Sequence, residues 1–323
     1  MENKNKVYNS IDLVKFIMAL CVVTIHTGYV KSIEMDFVRE LLIALLMSAV
    51  PFFFMCSSYF IVQRPVGGVN KYIKKIARYY CVWSFIITIY ELAIGNMGVN
   101  DIGSVIYRII FRGYNHLWYM WGLICVMPVV MFLVRKGVKP WMFVFIAIAS
   151  YVFNKAYTHY GSMDNPGWFW LWSTIVYQNK LLNITGLCLS LTYLSFGCFY
   201  ALKKDWEMKP LLSYVLILVG IFMMHFEPRH PDVAFGVPVI AFGLFPLICN
   251  WQLTNDRISF SWLRSMSSLI YFIHGIIISI IVAILGKMCF STWVAIIACC
   301  IMVSACILWL KGRRGFGWLK MVI

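Results

Sequence analysis

Three ionisable side chains, Asp12, Lys15 and His26, stand in the first apolar run of the chain. At about 100° per helical residue, the step from Lys15 to His26 closes to within about 20° of three full turns, so both share one face about 16 Å apart along the axis. An imidazole is well suited to take a proton from an attacking hydroxyl, and a lysine farther along the same face can place an anionic reactant. The structural alternatives are a lysine that snorkels to headgroups and a histidine that caps an interface. A second polar face, Tyr80, Ser84, Thr88 and Glu91, recurs at steps of four, four and three. Glu91 is expected well inside its span at the depth of His26, where it would orient that ring if the two helices are neighbours; a carboxylate reaching interfacial water explains it equally well. A third face carries Ser267, Tyr271 and His274, with His274 near mid-membrane as either a catalytic group or a helix-to-helix hydrogen bond. His116 opens a further apolar run in Asn115-His-Leu-Trp-Tyr-Met120. There is no Gly-rich phosphate loop, His-Glu-x-x-His pair, Gly-x-Ser-x-Gly elbow or close set of metal ligands, so no metal site is expected.

The elements that hold these residues are membrane helices. The hydrophobic class makes up 62% of 323 residues and charged residues 13%, and runs able to cross a hydrocarbon layer of about 30 Å recur throughout. An ionisable group kept inside such a layer costs about 2.5 to 3.5 kcal/mol on insertion scales, which is why the residues above are singled out. The expected fold is an all-α polytopic bundle of about ten transmembrane helices, a single membrane-embedded domain over 1–323 without a soluble domain. The spans run roughly over 11–30, 41–62, 79–95, 116–134, 141–157, 184–202, 210–226, 233–250, 266–286 and 292–310. Lys4 and Lys6 precede the first as in a signal peptide, but Lys15 interrupts the run and no cleavage site follows, so it reads as a retained helix.

The formal net charge of +15 reads as topology and not as nucleic-acid binding, because the basic residues gather in alternate short loops. One set holds Lys4 and Lys6; Arg64, Lys71, Lys74, Lys75 and Arg78; Arg135, Lys136 and Lys139; Lys203, Lys204 and Lys209; Arg257 and Arg264; and Lys311, Arg313, Arg314 and Lys320. The positive-inside rule puts these loops and both termini in the cytoplasm, and puts the 161–168 and 227–232 loops outside. An outer segment from Val105 to Tyr114, with Arg108 and Arg112, has the pattern of an interfacial amphipathic helix, an anchor or a guide for anionic substrates. The 11 cysteines lie mostly inside apolar runs and read as small core residues.

Five motifs carry a family likeness. Ile11-Asp12-Leu-Val-Lys15-Phe is followed after ten residues by His26, and the second span ends in Pro51-Phe-Phe-Phe-Met-Cys-Ser-Ser-Tyr-Phe60. Then come Lys71-Tyr-Ile-Lys-Lys-Ile-Ala-Arg-Tyr-Tyr80, His116-Leu-Trp-Tyr119 and Tyr271-Phe-Ile-His274. In this order, over nearly the whole chain, they resemble the acyltransferase-3 family of bacterial membrane acyltransferases, with Ser58 where the family has glycine. The resemblance implies transfer of an acyl group, usually acetyl from acetyl-CoA, to a hydroxyl of a surface glycan or lipid-linked saccharide in the bacterial plasma membrane, with no permanently bound cofactor.

In that setting His26 is the expected general base and Lys15 the residue that places donor or charge, with Asp12, Glu91, His116, Tyr271 and His274 supporting. Arg64, Lys71, Lys74, Lys75 and Arg78 would receive the phosphates of acyl-CoA, although positive-inside topology accounts for them as well. Relatives with a soluble outer domain use it to finish glycan transfer; without one, this chain would complete transfer itself or hand over to a separate protein. The same membrane unit resembles the amino-terminal half of serine racemases from vancomycin-resistant bacteria, which implies an alternative role as a serine carrier.

Overall fold

The computed structural model describes residues 8–64, 66–161, 182–203, 208–226, 234–251, 253, 259–313 and 315–321. Lys4, Lys6, Lys204, Arg257, Arg314 and the outer-loop stretches 162–168 and 227–232 lie outside the described residues. Among the described residues every regular element is a helix. They are α1 (Asn9–Thr27), α2 (Asp36–Met47), α3 (Ala49–Val62), α4 (Val66–Ala93), α5 (Ile102–Phe111), α6 (Trp118–Arg135), α7 (Pro140–Gly161), α8 (Ile184–Leu202), α9 (Pro210–His225), α10 (Gly236–Asn250), α11 (Ser261–Leu285) and α12 (Phe290–Lys311).

Six stretches, Asn9–Thr27, Asp36–Val62, Val99–Arg135, Ile184–Leu202, Ser261–Leu285 and Phe290–Lys311, are long and apolar enough to cross a membrane. The chain is therefore a multi-pass membrane protein, in which each helix satisfies its own backbone where water is absent. Its surface agrees. Leu211, Val215, Leu218 and Phe222 of α9 are all exposed, and their spacing forms one apolar stripe that suits lipid and would be a liability in water.

The helices form two compact units, Met1–Phe53 with Glu207–Ile323, and Phe54–Trp206. In the first, α1 and α11 lie side by side and run in the same direction. The Asn9 side chain accepts from the Phe260 N–H at 3.0 Å, at the start of α11; Asp12 pairs with Arg264; farther along, His26 faces His274. Parallel neighbours that both cross a membrane need an odd number of crossings between them. Ser10 donates to the Ile248 carbonyl at 3.0 Å, tying α1 to α10, and Trp293 Nε1 donates to Thr24 Oγ1 at 3.1 Å, tying α12 to α1. α9 and α10 pack antiparallel with backbones nearly touching: a Cβ on Gly236 would fall 2.1 Å from the Gly220 oxygen, and one on Gly243 would fall 2.8 Å from the Ser213 oxygen. Only glycine permits that approach.

The second unit is organised around the end of α5. The last carbonyls of a helix have no partner within it, and here three side chains serve that end of the chain. Tyr80 of α4 donates to the Ile109 oxygen at 2.7 Å, Trp121 of α6 to the Ile110 oxygen at 2.9 Å and Asn183 to the Arg112 oxygen at 3.0 Å. Asn183 also accepts from the Gly186 N–H at 2.8 Å as the N-cap of α8. α7 and α8 run antiparallel, joined by Ser150 donating to the Cys188 oxygen at 3.0 Å and Thr192 Oγ1 lying 3.3 Å from the Ala147 oxygen. Ile102, Ile106 and Ile110 lie exposed along one line of α5, beside exposed Arg108, as an interfacial helix requires.

Three expected boundaries move. The second span breaks at Ser48 into α2 and α3, where Ser48 Oγ bonds the Ala44 oxygen at 2.9 Å and Pro51 supplies no N–H. The third begins at Val66, so Lys71, Lys74, Lys75 and Arg78 stand on a helix and not in a loop. The ninth begins at Ser261 and takes Arg264 out of its loop. Hydropathy ends a span at its first charges, whereas the helix continues as long as its backbone bonds and caps are met.

The short connection before α12 offers a test of topology. Hydrogen bonds from Ser291 and Thr292 lower the Cys289 thiol to about 7, against an ordinary value near 9. A membrane-impermeant maleimide should label Cys289 in intact cells, with a rate rising between about pH 6 and 8 as thiolate forms. Ser291→Ala should move that midpoint upward, and Cys289→Ser should remove the label; labelling only after the membrane is opened would place this connection inside.

Candidate functional site

His26 and His274 meet across α1 and α11, with ring centroids 5.0 Å apart at 37°. His26 is exposed, in the last turn of α1 before the left-handed Gly28, whereas His274 is 1% exposed. Nδ1 of His274 lies 2.8 Å from the Tyr271 oxygen and 3.2 Å from the Ile270 oxygen. Nδ1 of the buried ring thus bonds carbonyls of its own helix. Tyr271, half-buried, sits 6.2 Å from the His274 ring. Tyr29 stacks on Trp293 at 5.3 Å and 17°, an aromatic group just beyond the end of α1. An accessible imidazole against a buried one is an arrangement able to take and return a proton.

Toward the other end of the same two helices, Asp12 is 1% exposed. Arg264 donates from Nε to Oδ1 and from Nη2 to Oδ2, both at 2.7 Å. This fork holds the carboxylate as an anchor between α1 and α11. Lys15 lies one turn farther along α1, half-buried, about 16 Å along the axis from His26. Arg264 is the residue that sequence reasoning missed. Its signal was the unexplained buried acid, because a carboxylate within a span needs a cation nearby.

The remaining candidates belong to the second unit. Glu91 is in the last turn of α4, not well inside a span, and accepts from Asn96 Nδ2 at 3.0 Å. The polar face it shares is taken up locally: Tyr80 also receives the Tyr114 N–H at 3.1 Å, and Thr88 bonds the Ser84 oxygen at 2.7 Å and the Tyr114 hydroxyl. That face holds the segment carrying His116, which sits half-buried in the single 3-10 turn Asn115–Leu117 ahead of α6. Gly113 makes this turn possible, since at φ 78 a Cβ would fall 2.6 Å from the Trp118 Cα.

Lys71, Lys74, Lys75 and Arg78 are all exposed, and their i, i+3, i+4, i+7 spacing puts them on one face of α4; Arg64 is exposed just after α3. Ser57 lies 3.0 Å from the Tyr119 hydroxyl and also bonds Tyr72, so the motifs of the second, third and fourth spans meet there. Ser58 faces Gly197 of α8, where a Cβ would fall 2.1 Å from Ser58 Oγ; the glycine needed for close packing is on the facing helix. Among the described residues no cluster of His, Cys, Asp and Glu could hold a metal ion.

A family model described as an acyltransferase domain matches residues 8–311, and the chain belongs to this acyltransferase-3 family. The chain is also similar to an amino-acid racemase of Enterococcus faecalis, 25% identical over 84% of this chain and 41% of that protein. A further amino-acid racemase match from the same organism is 32% identical over 41% of this chain and 19% of the relative. The chain thus spans less than half the length of the curated relatives it matches. No solved structure matches it.

The anchor at the Asp12 end makes an asymmetric prediction. Removing a partner from a buried pair costs about 3 to 5 kcal/mol when the charge left behind stays buried. Arg264→Ala strands a carboxylate that is 2% exposed, whereas Asp12→Ala leaves an arginine whose side chain is 56% exposed. Thermal unfolding in detergent should show Arg264→Ala as the more destabilised variant, with the double variant between the two or close to Asp12→Ala. Equal, small shifts would mean that the fork does not anchor α1 to α11.

Proposed function

We propose that this chain is a membrane O-acyltransferase of a bacterial plasma membrane, with ten spans and both termini inside. It would move an acyl group, acetyl in the simplest case, from acyl-CoA to a hydroxyl of a cell-surface glycan or lipid-linked saccharide. The observation that carries the reading is the accessible His26 set against buried His274, in a chain of the acyltransferase-3 family.

In the reaction, a His26 nitrogen takes the acceptor's hydroxyl proton as the oxygen attacks the thioester carbonyl. The carbon–sulfur bond breaks, and the imidazolium returns the proton to the departing thiolate. An ester and free CoA thiol are the products, whether the acyl group passes directly or through a covalent step. Lys15 lies on the same helix toward the proposed cytoplasmic side, where a cation favours the anionic part of the donor, away from the reacting carbonyl. Glycan transfer is completed by this chain or by a separate partner protein.

The exposed basic face of α4, with Arg64, supports a donor site that positive-inside topology would put in the cytoplasm, because a single helix face presents its charges together to the phosphates of CoA. The racemase relatives favour one other reading, a module that carries an amino acid such as serine across the membrane. On that reading Lys15, His26 and His274 would line a solute path.

Radiolabel from acetyl-CoA should reach envelope glycan through purified, reconstituted wild type, and His26→Ala should lower kcat by about 10² to 10⁴ while keeping its thermal unfolding midpoint. Folded wild type that moves no label from any acyl-CoA, but concentrates serine in vesicles, would replace this reading with the carrier. For the donor, Lys71→Gln/Lys74→Gln/Lys75→Gln should raise the KM for acetyl-CoA about tenfold at low salt with little change in kcat, and the difference should shrink as salt screens the charges. An unchanged KM would remove α4 from the donor site.

A further inference from the structure

Positive charge is left over at the end of α5: we propose that Arg112, with Arg108 one turn before it, holds the phosphate of a membrane lipid. The site lies in the second unit and does not rest on His26 or on acyl transfer, although a lipid-linked saccharide acceptor would present the same group.

Basic residues in the last turn of a helix have an ordinary explanation, because they meet its unpaired carbonyls. Here that need is already met. Tyr80, Trp121 and Asn183 donate to the Ile109, Ile110 and Arg112 oxygens, so neither guanidinium is required for it. Ion pairing does not account for the two arginines either. Among the described residues neither Arg108 nor Arg112 forms an ion pair. Glu91, whose charge acts with that of Arg108 on the Tyr114 hydroxyl, accepts from Asn96 Nδ2, and Asp101 accepts from the Gly98 N–H.

Arg112 lacks more than a countercharge. The residue is half-buried, and its Nε is buried with no hydrogen-bond partner among the described residues. Leaving the N–H of a cation unmet away from bulk water is costly. A guanidinium only donates, so the group that completes this site is an acceptor, and an anion with several oxygens suits its fork.

The surroundings say where that anion comes from. Ile102, Ile106 and Ile110 are exposed in one line of α5, and Arg108 lies about 160° around the helix from Ile106 and Ile110. With the isoleucines among acyl chains, the arginines at this end lie at headgroup depth, where lipid phosphate is the abundant anion. A site for a soluble anion would gain nothing from the apolar line.

Both side chains can be replaced without disturbing the turn. Arg112 serves Asn183 through its backbone oxygen, which every substitution keeps, and Arg108 is exposed. In a maltoside detergent, which contains no phosphate, native mass spectrometry of the full chain should show phosphatidylglycerol bound at least about tenfold tighter than diacylglycerol with the same acyl chains. Arg112→Gln should weaken phosphatidylglycerol about tenfold, and Arg108→Gln about fivefold. Arg112→Lys should fall between wild type and Arg112→Gln, because it restores the charge without the Nε donor. Lys287→Gln, which removes an exposed cation from the connection before α12, should change nothing.

Phosphatidylglycerol bound equally by wild type and Arg112→Gln would overturn the proposal. An equal loss in Lys287→Gln would do the same, since any exposed charge would then suffice. Displacement of the lipid by inorganic phosphate at equal concentration would also overturn it and assign the site to a free anion. None of these measurements needs turnover, so a failure of the acyltransferase reading would leave them to decide the site by themselves.

Discussion

A carboxylate inside a membrane helix has to be paired, and the fork between Asp12 and Arg264 is the constraint on which the first unit depends. It fixes where α11 stands along α1. From Asp12 to His26 the axial rise is about 21 Å, and from Arg264 to His274 about 15 Å. The difference of about 6 Å is roughly what an extended arginine side chain covers, so the long cation at one end brings the two imidazoles level at the other. A lysine could bridge a similar distance, but it would not supply two parallel bonds or hold the rotation of the helix as firmly. Asn9 reinforces the same register from the start of α11.

The second unit solves a different problem. Its helix α5 ends among other helices, where carbonyls without partners would be expensive in a low-dielectric medium. Tyr80, Trp121 and Asn183 meet that need, and in doing so they fix the turn that carries His116. The polar face of α4 is therefore scaffolding for a loop, while its opposite role, an exposed basic face, lies nearer its start. One helix presents two chemistries at two depths, an arrangement that a single periodicity argument does not separate.

Spacing along single helices was legible in the sequence: Lys15 with His26, and Tyr271 with His274, are set by the helical repeat and require no knowledge of neighbours. What joins those helices was not. The start of α11 is bonded to Asn9, 251 residues away in the chain, and no local pattern carries that information. Arg264 looked like one more cytoplasmic charge because hydropathy falls at Trp262 to Ser265 even though the helix has already begun. Glu91 looked deeply placed for the converse reason, since the apolar run continues past it while the helix ends at Ala93. The exchange of the family's glycine for Ser58 read as a departure from the motif; in the structure Gly197 opposite provides the room.

The glycine contact between α9 and α10 has a further bearing on where an acceptor can meet the protein. These helices are 16 and 15 residues long, rising about 24 and 22 Å, less than a hydrocarbon layer of about 30 Å. Lipid beside a pair that short must thin, or polar groups flanking the pair must be drawn inward. The close approach of their backbones leaves little freedom to resolve the mismatch by separating or tilting independently. The pair thus works as a dent in the membrane within the unit that holds His26, shortening the path between headgroup depth and the protein interior for a substrate with a polar head.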